Sequence, residues 1–326
     1  MAARGALPLP PLELATVLFA LMHDPDAEVK DTARASLEAL PANVMDVVLA
    51  GDAHPTILSH LAHAQREDEA RCEMLALNTA TDDATIAFLA TLPFKRVVDV
   101  VANNQERLMR APEIVEALGP NPMVGRSVID RILTFLGMDL ADAEDSVGKG
   151  DLNESETEAA LKAVLGEDLA GFAHQLVNES EETDVDEGDQ TNLYALIQQM
   201  SIFQKVKLAR LGNKEARGLL IRDRNKVVSV AAITSPKISD TEVTNYAQSR
   251  NVCDEVLRII ASNRTWCRNY KVKLALASNP KTPQPTAMKF VNYLQDNDLR
   301  AMVRSKDVPS QISAHARRIL MKKGKI

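Results

Sequence analysis

The feature that most narrows what this chain can become is a recurring punctuation. Ile233-Thr234-Ser235-Pro236-Lys237-Ile238 and Ala277-Ser278-Asn279-Pro280-Lys281-Thr282 are alike in character, and their prolines lie 44 residues apart. Earlier in the chain, Leu77-Asn78-Thr79 and Leu118-Gly119-Pro120-Asn121-Pro122 play the same part, with 43 residues from Asn78 to Asn121. A period in the range of roughly 20–50 residues marks architectures built by stacking one small unit. The segments between the marks read as short helices. Ser239-Asp240-Thr241-Glu242 has the form of a capping box, which satisfies the orphan amides of a helix start. Val243, Tyr246 and Ala247 then fall on one helical face. Val252, Val256, Ile259 and Ile260 form a second stripe, and Trp266, Tyr270, Leu274 and Ala277 a third. Asn263 and Asn279 suit the ends of the last two helices, because asparagine tolerates the left-handed turn that closes many of them. Helices this short do not persist alone in water, so they must stack.

The same reading divides the chain. A two-helix start covers 10–40, and units follow at about 41–79, 80–122, 193–236, 237–280 and 281–322. Val124–Gly137 opens a further unit. A loop around Gly148-Lys149-Gly150 interrupts it, and helices at Thr157–Leu165 and Glu167–Val177 complete it. Glu179–Gln190 is almost wholly polar and reads as a mobile linker. Three parts result: an N-terminal helical array over 1–138, an acidic insert and linker over 139–190, and a C-terminal helical array over 191–326.

Composition agrees with an all-α fold. The 326 residues are 45% hydrophobic, enough for a sizeable core, while only 4% are aromatic, which is poor material for strands. The three cysteines, Cys72, Cys253 and Cys267, form no CxxC pair, which argues against a disulfide scaffold or a cysteine zinc knot. No apolar run approaches the roughly 18 residues of a membrane span. Leu12–Met22 is apolar enough to suggest the core of a signal peptide. Glu13 interrupts it, however, and no small-residue cleavage site precedes Asp24-Pro25-Asp26. Pro10 and Pro11 sit where a first helical turn tolerates them, so this segment is expected to pack as a helix. Free cysteines and no targeting segment lead to the expectation of a cytoplasmic protein.

Charge is divided between the two ends. Residues 191–326 carry 25 Lys/Arg against 9 Asp/Glu, whereas residues 1–190 carry 13 against 36, within a formal net charge of −7. Residues 139–190 alone hold 17 acids against Lys149 and Lys162. Such a split is a statement about partners and steering. The basic part is suited to an acidic protein, a nucleic acid, or the chain's own acidic segment 179–189, which its tether would hold at high local concentration.

The segment Asp24-Pro25-Asp26-Ala27-Glu28-Val29-Lys30, followed by Ala33 and Leu37, resembles the inter-helix turn and second helix of a HEAT repeat. The three-helix units with Pro/Asn turns are similar to armadillo or leucine-rich-variant repeats. Together the likeness covers most of the chain outside 139–190. It implies an α-solenoid of stacked two- and three-helix HEAT/armadillo-like repeats, a right-handed superhelix whose concave face binds proteins or, less often, nucleic acid. It transfers no catalytic residue.

Other constellations give no chemistry. His54, His60 and His63 lie close together without the spacing of a metal motif, and they read as surface histidines. A calcium loop begun at Asp184 places Gly188 one position early and Ala195 where the terminal Glu belongs. One begun at Asp151 meets Glu156 and Lys162 at those two positions. Gly148-Lys149-Gly150 lacks the upstream Gly and following Ser/Thr of a phosphate loop, and no nucleophile motif occurs. No cofactor, metal or catalytic activity is therefore expected. Two basic patches remain. Lys207, Arg210, Lys214 and Arg217 align on one face of a continuous helix, although Gly212-Asn213 breaks it, and Arg222, Arg224 and Lys226 follow. Arg264, Arg268, Lys271 and Lys273 interleave with Trp266 and Tyr270. The two aromatics lie on an apolar stripe and are expected in the core. If exposed instead, they would serve as stacking platforms for single-stranded nucleic acid. The expected function is a non-enzymatic scaffold binding an acidic protein surface through 191–326. The alternative is a nucleic-acid-binding HEAT-like protein, at the extreme one like the alkylpurine DNA glycosylases, which needs an exposed Trp266 or Tyr270 and a carboxylate such as Asp254 or Glu255 facing the same groove.

Overall fold

The computed structural model describes residues 2–136 and 187–325. The expected loop at 148–150, the helices at 157–165 and 167–177, and the acidic stretch up to residue 186 lie outside the described residues. Among those residues the protein is all-helical, with twenty α-helices, two short 3-10 turns and no strand. The chain forms two compact units, residues 1–135 and 136–326.

The first unit contains α1 (Pro11–Leu21), α2 (Ala27–Glu38), α3 (Ala42–Ala50), α4 (Pro55–Ala64), α5 (Glu69–Leu77), α6 (Asp83–Thr91), α7 (Lys95–Asn103), α8 (Gln105–Arg110), α9 (Pro112–Leu118) and α10 (Arg126–Phe135). The apolar segment read as a packing helix is α1. Pro11 occupies its first position and Leu14, Ala15 and Leu18 are buried. Asp26, Asp68 and Asp82 each accept an amide hydrogen bond at the start of α2, α5 and α6. Packing partners are close in the chain: α1 meets α3, α3 meets α5, α5 meets α7 and α7 meets α10. A second line runs from α4 through α6 to α9.

The second unit contains α11 (Glu187–Gln199), α12 (Ile202–Leu211), α13 (Lys214–Leu220), α14 (Lys226–Ile233), α15 (Asp240–Gln248), α16 (Asp254–Ser262), a 3-10 turn (Trp266–Arg268), α17 (Tyr270–Ser278), α18 (Gln284–Val291), α19 (Asp296–Arg304) and α20 (Ser310–Lys322). Here α12 packs on α14 and α14 on α16, while α15, α17, α18 and α20 form a second line. One sequence boundary needs correction. Residues 187–190 are not linker but the first turn of α11, which runs across the division placed at 190/191.

Asparagine does more here than end helices. Asn78 Nδ2 donates to the carbonyls of Leu49 (2.7 Å) and Gly51 (2.8 Å), at the end of α3. Asn121 does the same to Ala90 and Leu92 at the end of α6, and Asn279 to Ala247 and Ser249 at the end of α15. In each case Oδ1 accepts from the amide two residues on, that of Ala80, Met123 or Lys281. Ser235 donates in a similar way to the Arg210 carbonyl at 2.9 Å. The last carbonyls of a helix have no partner within it, so each tie supplies acceptors with a donor they would otherwise lack when buried. The expectation of a left-handed turn at Asn263 and Asn279 is wrong. Both are extended, at φ −76° and −75°, and no non-glycine residue among those described has positive φ.

Candidate interaction surface

The structure separates the eleven basic candidates. Lys207, Lys214, Arg222, Arg224, Arg264, Arg268 and Lys271 are exposed, and Arg210, Lys226 and Lys273 are half-buried. As Gly212-Asn213 suggests, α12 ends at Leu211 and Asn213 caps α13 through the Ala216 amide. The first stripe is therefore split over two helices.

Arg217 does not belong to any surface. It is 1% exposed, and its guanidinium grips Glu242 with two bonds, Nε to Oε1 at 3.0 Å and Nη2 to Oε2 at 3.1 Å. Nη1 donates to the Gly212 carbonyl at 2.8 Å. Glu242 also accepts from the Ser239 amide and hydroxyl and from the Tyr246 hydroxyl. The expected capping box at Ser239–Glu242 is present, and its glutamate serves the buried pair at the same time. Burial raises the Glu242 pKa, but the hydrogen bonds and charge of Arg217, with those from Ser239, outweigh it and hold the carboxyl below its ordinary 4.5. Burial, followed by the Glu242 charge, pushes the Tyr246 phenol upward.

The second patch resolves differently. Trp266 is 6% exposed and belongs to the core. Tyr270 donates to Asp298 and accepts from the Gln295 amide at 2.9 Å, so its hydroxyl ties α17 to the start of α19. Asp254 and Glu255 both pair with Arg258 of their own helix, at 3.6 and 3.8 Å. Cys267 Sγ donates to the Ile260 carbonyl at 3.3 Å. Its pKa is raised chiefly by burial, with the charges of Lys273 and Lys289 opposing the rise.

Sequence reasoning missed Lys289, Tyr293 and His315. Lys273 Nζ lies 5.8 Å from the centre of the Tyr293 ring, and Tyr293 is 64% exposed. Lys289 precedes Tyr293 by one helical turn. His315 Nε2 on α20 lies 3.1 Å from Asn292 Oδ1 and donates to it, bringing α20 alongside. A signal was available. Residues 256–295 contain no Asp or Glu, yet they contain Arg258, Arg264, Arg268, Lys271, Lys273, Lys281 and Lys289. The nearest later acids are engaged: Asp296 holds Lys323 and Lys325, and Asp298 holds Tyr270. Those two lysines keep the Asp296 carboxyl down at about 2.

Other features resolve as structure. A groove of about 370 Å³ between the end of α15, α17 and α19 is lined by Leu274, Ala275, Ala301 and Met302 and by the Arg250–Asp307 ion pair (2.9 Å). In the first unit, Arg107 is buried and donates to the carbonyls of Asn78, Thr79 and Thr81 and to Asp83, which Arg110 grips with two further bonds. Of the three histidines, His54 caps α4 and His63 lies against Phe88 with ring centres 3.9 Å apart, both exposed, and His60 is half-buried 3.0 Å from Glu38. Among the described residues, no three His, Cys, Asp or Glu side chains gather as a metal ion would require. No helix among them is long and apolar enough to cross a membrane.

Comparison with protein-family models, with curated proteins and with solved structures finds no match to this chain.

Proposed function

We propose that this protein is a non-enzymatic interaction scaffold, an α-solenoid of stacked helical repeats resembling the HEAT and armadillo kinds, whose basic C-terminal part binds an acidic surface of a partner protein. Two findings support the architecture: packing between helices near in the chain, and the same asparagine tie at 43-residue spacing in the first half. The observation that carries the function is the acid-free stretch 256–295, whose Arg264, Arg268 and Lys271 project into solvent. Opposed charges across an interface steer encounter and reject wrong partners. Of the two aromatics that the nucleic-acid alternative calls on, Trp266 lies in the core and Tyr270 is half-buried with its hydroxyl engaged by Asp298 and Gln295, which favours the protein-partner reading.

The test is fluorescence anisotropy on the full chain, with a labelled Glu/Asp-rich peptide and a labelled oligonucleotide of equal charge. The peptide is expected to bind saturably at low salt, and Arg264→Glu with Arg268→Glu and Lys271→Glu to weaken it about tenfold or more, a loss of roughly 1.4 kcal/mol. No peptide binding at low salt sinks the reading. So does tighter oligonucleotide binding with the steep salt dependence of phosphate contacts.

A further inference from the structure

The proposed surface is not uniform, because one part of it has an aromatic centre. Tyr293 stands 64% exposed just past the end of α18, with Lys273 Nζ of α17 5.8 Å from the centre of its ring. Lys289 lies exposed one turn back on α18, and α18 packs on α17, the helix that carries Lys273. His315 of α20 flanks the patch through Asn292. No acid within 256–295 dilutes this charge. Asp296, the first acid after Tyr293, is held by Lys323 and Lys325. Lys273 and Lys289 make no ion pair among the described residues.

We infer that this face of α17, α18 and α20 docks an acidic partner segment that carries an apolar side chain among its carboxylates, the apolar group covering Tyr293 and the carboxylates meeting Lys273 and Lys289. The inference rests on the function proposed above and specifies the sequence class that the scaffold selects. The physical basis is division of labour. Exposed ion pairs add little affinity and much steering, whereas an aromatic anchor ringed by charge supplies the short-range discrimination. A lysine beside the ring strengthens both roles, since it attracts carboxylate and leaves the ring's other face for apolar contact.

The experiment uses the full chain and two labelled peptides of identical acidic content, one with a central Leu-Phe pair and the other with Ser-Ser. The Leu-Phe peptide is expected to bind about five- to tenfold more tightly. Tyr293→Ser should bring that ratio close to one, and Lys289→Gln should weaken both peptides. Unchanged thermal melting checks that each variant is folded. If both peptides bind equally, or the ratio survives Tyr293→Ser, the inference is overturned while the broader function stands. If Lys289→Gln changes neither peptide, the inference is likewise overturned. If neither peptide binds, the broader function fails and the inference with it. An oligonucleotide that outcompetes both peptides and loses affinity on Tyr293→Ser assigns the face to nucleic acid and overturns the inference.

Discussion

A guanidinium removed from water must recover its hydrogen bonds from the protein, and Arg217 does so with two bonds to Glu242 and one to the Gly212 carbonyl. Breaking such a pair from one side leaves an uncompensated buried charge, which costs about 3–5 kcal/mol. Arg217→Met should therefore lower stability by about that amount in urea unfolding. Adding Glu242→Leu should restore only part of it, because the orphaned carboxylate is then gone but the Ser239 amide and the Tyr246 hydroxyl lose their acceptor. The pH dependence has a definite sign. Glu242 titrates lower in the folded protein than its ordinary 4.5, so its contribution is complete above that value and is lost as the pH falls through the lower, folded one. Glu242→Gln should accordingly flatten the decline of stability below about pH 4.5. At this scale the sequence was only half legible. Spacing aligns Lys207, Arg210, Lys214 and Arg217, yet it cannot say that a glutamate 25 residues further on claims the last of them.

Elements were more legible than their joints. The capping box at Ser239, the break at Gly212-Asn213 and the stripe of Val243, Tyr246 and Ala247 appear where local pattern places them, because caps and periodicity act within a few residues. The stripe begun at Trp266 does not: Trp266 lies in a 3-10 turn ahead of α17, and Tyr270 and Leu274, expected inside, are half-buried. The asparagine ties were not legible, since their acceptors lie 27–32 residues back in the chain. The glycine ending α12 shows the same closeness from the other side. A Cβ at Gly212 would stand 2.6 Å from the Leu208 carbonyl oxygen and 2.9 Å from its Cδ1. Gly212→Ala should destabilise by about 1–3 kcal/mol through this crowding. Gly218, inside α13 with nothing within 4 Å of its Cβ position, should behave oppositely. Gly218→Ala is expected to stabilise by about 0.5–1 kcal/mol, because alanine loses less freedom in a helix. Chemical denaturation of the two variants side by side checks both signs.

At the scale of the molecule, the all-helical class of the described residues followed from composition and period, and the placement of the exposed aromatic did not. Trp266 and Tyr293 are both aromatics in the basic region, and only packing sends one inward and the other out. Nearly every helix of the first unit finds its partners within a few elements of itself, around a core of its own. Residues 1–136 should therefore fold when expressed alone, with a helical circular dichroism spectrum and a cooperative urea transition. A featureless spectrum would show that this unit depends on the rest of the chain. The asparagine ties carry one mechanical consequence. Each clamps the end of one helix to a position 29, 31 or 32 residues downstream, with short bonds that are sheltered from water. A chain stretched by its ends would give way rivet by rivet, releasing a few tens of residues at each yield, much as a climbing rope pays out between anchors.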